Sequence, residues 1–185
     1  MEPNGGTRDD VRRALLGTPL PLAEAQPRLP RAPGLYAWWA SPDVLPDFPG
    51  TAHPDTPELR LLYLGITTRT LRSRVTAEHL RQSRRSTLRR TLAALLMADE
   101  GYRTRREHGH VVLTGDDEDR LTTWMRARLR LTWAGHHDPR PVETALLAEL
   151  APPLNLAGTT PTTIRSRLTA ARAAYRASAD GTGHD

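Results

Sequence analysis

Two apolar runs, too short for helices and each bounded by glycine, limit the folds open to this chain. Gly34-Leu35-Tyr36-Ala37-Trp38-Trp39 is aromatic-rich and follows Pro33 directly, and Leu59-Arg60-Leu61-Leu62-Tyr63-Leu64-Gly65 is apolar and ends on glycine. Runs of this length between turn residues read as buried strands. The polar, proline-rich stretch from Ser41 to Glu58 joins them as a wide hairpin. A third strand is predicted where Leu129, Leu131 and Trp133 alternate with Arg128, Arg130 and Thr132, the period of a half-buried strand.

Helical spacing accounts for much of the rest. Leu71 to Arg81 carries Leu71, Val75 and His79 or Leu80 on one face, and Ser86 is placed to cap a second helix with apolar positions Leu88, Leu92, Leu95 and Leu96. The glycine-bounded segment from Gly101 to Gly115 suits a small basic β-hairpin. Asp116 to Asp119 then supply the acidic first turn of a further helix. Pro141 sits at an N1-like position of a helix ended by Pro152-Pro153, and an Ala/Arg helix runs from Pro161 to about Ala177. Upstream, Pro19, Pro21, Pro27, Pro30 and Pro33 are dense enough to block a continuous helix or central strand, leaving a surface helix around Val11, Leu15 and Leu16. The expected fold is α+β: a small three-stranded core sheet flanked by helices, with an added β-hairpin and a C-terminal helix. Residues 1–33 form a proline-rich lead-in, 34–158 the main domain, and 159–185 a helix with a frayed tail.

A length of 185 residues suits one domain with a real core. The net charge is +5 and all 26 basic residues are arginine. Arginine binds phosphate bidentately where lysine acts as a point charge, although +5 is within the ordinary range for soluble domains. There is no cysteine, which excludes disulfides, thiolate nucleophiles and Cys-ligated zinc. The N-terminal residues lack an apolar targeting segment and no stretch approaches the ~20 apolar residues of a membrane helix, so no membrane association is expected and a cytoplasmic location is the default.

The order strand, strand, helix, helix, strand, helix carries Gly34-Leu35-Tyr36 at the start of the first strand and Tyr63-Leu64-Gly65 at the end of the second. Arg74-Val75 and His79 follow on the next helix, Glu143 heads the helix after the third strand, and Asn155 closes Pro152-Pro153-Leu154-Asn155. Over roughly Gly34 to Asn155 this pattern resembles the GIY-YIG nuclease superfamily. Three departures stand out. The connection between the two tyrosine motifs is long, one extra residue separates Tyr63 from Arg74 and leaves Arg72 as a rival, and Ile66 stands where many relatives carry lysine.

The resemblance implies divalent-metal-dependent hydrolysis of a nucleic-acid phosphodiester, with DNA as the substrate and RNA not excluded. Tyr36 acts with water as the base, Tyr63 positions that water, and Arg74 and His79 assist the phenol, whose ordinary pKa is about 10. Arg74 also clamps the phosphate. Glu143 is the ligand for Mg²⁺ or Mn²⁺, with waters completing the shell, and Asn155 orients Tyr36, the water or the segment bearing Glu143. Arg72, Arg81, Arg84, Arg85, Arg89 and Arg90 are the phosphate-tracking candidates, extended by Arg103, Arg105 and Arg106. Blander readings stand beside these: strand tyrosines that only pack, a surface His79, a Glu143 that complements its helix dipole, and an Asn155 that caps a turn. His136-His137-Asp138 reads as a solvated loop, because adjacent histidines point apart and no further ligand spacing accompanies them. The alternative to an enzyme is a non-catalytic nucleic-acid-binding module on the same scaffold.

Overall fold

The computed structural model describes residues 6–156 and 162–179. In chain order its elements are α1 (Arg8–Leu15), β1 (Leu20–Pro21), α2 (Leu22–Arg28), β2 (Gly34–Ala40), β3 (Arg60–Thr67) and α3 (Leu71–Ser73), which widens into a π-helical turn over Arg74–His79. After a short 3₁₀ turn at Ser83–Arg85 come α4 (Thr87–Glu100), β4 (Thr104–Glu107), β5 (His110–Leu113), α5 (Gly115–Arg128), β6 (Leu129–Gly135), α6 (Pro139–Leu150) and α7 (Thr162–Ser178). The expected frayed tail beyond residue 179, and the predicted start of the last helix at Pro161, lie outside the described residues.

Among the described residues the main sheet is antiparallel with strand order β1-β6-β2-β3, and β4 pairs with β5 as a separate hairpin. The α+β fold and its three core strands are as predicted. The addition is β1, where Leu20 and Pro21 pair with Leu131 and Arg130; proline is tolerated there because the strand lies at the sheet edge. β2 is central and wholly buried, so its sequence does not alternate. Leu35, Ala37 and Trp39 face Val11 and Leu15 of α1 and Val142 and Leu146 of α6. Tyr36, Trp38 and Ala40 belong to the larger core with Leu71, Val75, Leu88, Leu92, Leu121 and Leu168.

Several local expectations are modified. The helix at Val11 and Leu15 is not a surface element: both side chains are buried against the sheet, and Thr7 and Asp10 close a capping box at its start. The prolines limit helix length rather than forbid helix, since α2 runs seven residues with Pro27 in its last turn. α6 begins at Pro139 rather than Pro141; both prolines fall in the first turn, whose N–H groups have no intrahelical partner to lose. The Ser41–Glu58 connection is anchored by buried Leu45 and Phe48 and by His53, whose Nε2 lies 2.9 Å from the Gly17 carbonyl.

The edge strand β3 is bulged. Tyr63 pairs with Trp38 but Leu61 pairs with Trp39, leaving Leu62 as the extra residue, and its carbonyl accepts the Leu154 N–H at 3.0 Å. Three residues upstream of that contact, α6 ends with Ala151 in the left-handed region at φ 42°. This reversal returns the chain to β3 and sets Asn155 beside it.

Candidate active site

Tyr36 lies opposite Gly65 on the neighbouring strand, and a Cβ at position 65 would stand 2.6 Å from the Tyr36 hydroxyl. The glycine that closes the second apolar run is therefore required by contact with the tyrosine of the first, beyond any need for a turn. The hydroxyl accepts a hydrogen bond from Arg74 Nε at 3.2 Å and lies 2.7 Å from His79 Nε2. Arg74 and His79 are five residues apart, which on an α-helix would separate them by about 140°. The π-helical turn, with its Leu80 N–H to Val75 carbonyl bond of 3.0 Å, brings both to the same side. Arg72 is exposed, and Arg74 is the arginine that reaches Tyr36.

His79 is fully buried and is not the surface histidine of the blander reading. Its ring meets Tyr36, Trp38 and Tyr63 edge-on at centroid distances of 5.1, 5.8 and 6.4 Å. Its Nδ1 lies 2.6 Å from Ser86 Oγ, and that oxygen also accepts the Arg89 N–H at 3.0 Å as the cap of α4. Burial, reinforced by Arg74 and Arg89, holds the His79 pKa well below the ordinary 6.5. Burial likewise raises the Tyr36 and Tyr63 phenols, with Arg74 opposing it at both, so tyrosines and histidine are neutral near pH 7.

A pH-dependent stability follows from this. Below pH 6.5 the unfolded chain protonates His79 and the native protein does not. Its contribution is thus complete above the unfolded value and declines as pH falls towards the native one, at up to about 1.4 kcal/mol per pH unit. Urea denaturation at pH 7.5 and 5.5 is expected to show this decline, and His79→Gln to flatten it by up to one proton's worth. An unchanged slope in the variant would remove His79 as the source.

Because α6 begins at Pro139, Glu143 does not head the helix but is its fifth residue, past the first turn, and it is half-buried. Among the described residues its carboxylate makes no hydrogen bond or ion pair, and desolvation raises its pKa while Arg140 opposes the rise. Its charge acts on both Tyr36 and Tyr63. Tyr63 itself is half-buried, and nothing among the described residues hydrogen-bonds to its hydroxyl. Asn155 treats β3 as a neighbouring strand would, its carboxamide accepting the Leu64 N–H at 3.0 Å and donating to the Leu64 carbonyl at 2.7 Å. It therefore fixes the backbone between Tyr63 and Gly65.

Of the six arginines named as phosphate contacts, Arg72, Arg81, Arg84 and Arg85 are exposed and Arg90 is half-buried. Arg89 is a correction: it is fully buried, its Nε bonding Glu118 Oε2 at 2.7 Å, Nη2 the Glu118 carbonyl and Nη1 the His79 carbonyl at 3.2 Å. The i, i+4 pattern of α4 turns it inwards with Leu88 and Leu92, so it cannot follow a phosphate chain. The His136 and His137 rings are stacked 5.0 Å apart rather than pointing apart, yet no group of three potential metal-ligating side chains occurs among the described residues.

Three neighbours of the site were not singled out from the sequence. Ser86 reads there only as a helix cap and Glu118 only as a first-turn acid; the first meets His79 where the π-helical turn packs on the start of α4, and the second meets Arg89 where α5 packs against α4. Arg172 of α7 gives no local signal at all, but its charge acts on Tyr63.

A family model described as the GIY-YIG catalytic domain matches residues 34–174. No curated protein and no solved structure matches the chain. No helix among the described residues is long and apolar enough to cross a membrane. With more than half of its length matched, and with the two tyrosine motifs paired across β2 and β3, the chain belongs to the GIY-YIG catalytic-domain family, a family of nucleases.

Proposed function

We propose that this protein is a divalent-metal-dependent endonuclease that hydrolyses phosphodiester bonds of DNA. The observation that supports this best is the Tyr36 hydroxyl, held between Arg74 and His79 and within electrostatic reach of the unpaired, half-buried Glu143. A carboxylate in that state, with Arg140 acting on it but no ion pair among the described residues, fits one Mg²⁺ or Mn²⁺ that keeps most of its waters. Glu143 would hold the ion, which when bound offsets charge on the phosphate and the leaving oxygen.

The chain's own residues move the proton. The Tyr36 oxygen accepts from Arg74, so its own hydrogen is available to His79 Nε2 when His79 carries its proton on Nδ1 and donates it to Ser86. As water attacks phosphorus, its proton passes to the Tyr36 oxygen and the Tyr36 proton passes to His79; the phosphorus–oxygen bond to the leaving strand breaks, and the leaving oxygen takes the bonding pair and then a proton from solvent. Neither a lone phenolate nor a lone imidazolium is favourable in the resting site. The phosphodiester brings the negative charge that makes the imidazolium less costly beside Arg74 and Arg89. Tyr63 is more open to solvent than Tyr36 and orients the attacking water. Arg74 uses Nε on Tyr36 and Nη1 on Glu78 and the Arg85 carbonyl, leaving Nη2 for the scissile phosphate.

The deciding experiment is nicking of supercoiled plasmid and branched DNA in Mg²⁺, Mn²⁺ or EDTA by the wild type and Glu143→Gln. Nicking is expected with metal, with none in EDTA and none from the variant. Full cleavage by Glu143→Gln would sink the assignment, and DNA binding without products in any metal would establish a binding module instead.

A further inference from the structure

A groove of about 670 Å³ opens between α7, the start of α4 and the β4–β5 hairpin. Its basic lining is Arg84, Arg90, Arg106, His110, Arg172 and Arg176, and no carboxylate contributes to it among the described residues. Two of the arginines are held by neutral acceptors. Arg172 donates from Nε and Nη2 to Thr91 Oγ1 at 3.0 and 2.6 Å, and Arg90 donates to the Ser83 and Arg84 carbonyls at 2.9 and 2.7 Å. Arg84 and Arg176 are exposed. None of Arg84, Arg90, Arg172 and Arg176 is in an ion pair among the described residues, whereas Arg74, Arg89, Arg103, Arg105 and Arg120 are each paired with an acid.

This concentration is costly in the free protein. Burial and the charges of Arg90 and Arg176 all disfavour the charged form of Arg172, and only Tyr63 opposes them. Fixing like charges in a concave site with no carboxylate in its lining among the described residues raises a strong positive potential, and the exposed Arg84 and Arg176 carry N–H donors suited to an anion. The charges of Arg90 and Arg172 act on Tyr63, so the groove lies within electrostatic reach of the tyrosine site.

We propose that this groove binds the phosphodiester backbone of the nucleic-acid strand flanking the bond to be cut, so that α7 and the hairpin form a substrate-holding wall. The assignment rests on the nuclease reading for the identity of its ligand. Because the contacts go to phosphate, they supply affinity and register without reading base sequence.

The test is fluorescence anisotropy of labelled duplex and single-stranded oligonucleotides across a salt series, without divalent metal so that no cleavage occurs. The proteins are the wild type, Arg84→Ala/Arg176→Ala, and Arg126→Ala as a control on the exposed surface of α5. Arg84 and Arg176 are exposed, so the double variant is expected to fold, checked by its thermal transition. Removing the two groove arginines should weaken binding and reduce the slope of log affinity against log salt by about 0.9 per arginine on duplex, or about 0.7 on single strands. Arg126→Ala should leave the slope close to wild type. An unchanged slope in the double variant, or an equal loss per arginine in the control, would overturn the groove. Groove-dependent binding by a wild type that never cleaves would instead uphold the groove and refute the nuclease, whereas normal cleavage with groove-independent binding would do the reverse.

Discussion

Tyr36→Phe is expected to slow plasmid nicking by roughly 10²–10⁴-fold, the range for loss of a proton-transfer group. The substitution keeps the ring over Gly65 and removes one oxygen, so packing survives. Two polar groups lose their partner, Arg74 Nε and His79 Nε2. Arg74 is partly exposed and recovers water, whereas His79 is fully buried and does not. A stability loss of about 1–3 kcal/mol follows, as for one buried group left unsatisfied. The activity loss exceeds what that destabilisation produces if most molecules stay folded, and single-turnover rates corrected for folded fraction would show it. If Tyr36 and His79 move one proton between them, their effects are not additive. Tyr36→Phe/His79→Gln should then be little slower than either single variant, and multiplying losses would argue for separate roles. A Tyr36→Phe enzyme within about threefold of wild type would remove the phenol from the mechanism altogether.

The largest stability effect is expected at Arg89. Arg89→Ala leaves Glu118 without its cation, removes the guanidinium donors to the Glu118 and His79 carbonyls, of which the Glu118 carbonyl keeps Thr122 Oγ1, and opens a void beneath α4. Breaking one partner of a buried pair typically costs about 3–5 kcal/mol. Arg89→Lys should recover little, because an ammonium cannot meet three separate acceptors in the plane of a guanidinium. Arg89→Met/Glu118→Gln removes both charges while retaining volume, and should recover much of the loss. Urea denaturation of the set measures this, and a loss below about 1 kcal/mol for Arg89→Ala would show that the pair is not structural. DNA binding separates the two roles of the arginine run: corrected for folded fraction, the salt slope of the Met/Gln double variant should match wild type, since a fully buried guanidinium neutralises no phosphate. The variant should nevertheless cleave more slowly, because the Arg89 guanidinium supports the His79 carbonyl, while the backbone N–H of residue 89 still donates to the Ser86 hydroxyl.

What the sequence by itself determined were the features written in local pattern. The runs at Gly34 and Leu59 are too short and apolar for anything but buried strands, the alternation at Leu129 makes a third, and Ser86 with leucines four apart makes a capped helix. These elements, in their order, carried the family resemblance and brought Tyr36, Arg74, His79, Glu143 and Asn155 into view. Only the tertiary structure decided how they meet. No periodicity announces a π-helical turn, because the same residues are compatible with an α-helix until Arg74 and His79 find a common partner in Tyr36. The arginine run looked uniform because charge is legible in a sequence while burial is not. Packing of α4 against α5 turned Arg89 inwards to Glu118, and packing of α4 against α7 set Arg172 beside Arg90. Those contacts join residues 29 and 82 positions apart, and at such separations it is the enclosure of surface, with its demand that every buried polar group find a partner, that fixes which side chains meet.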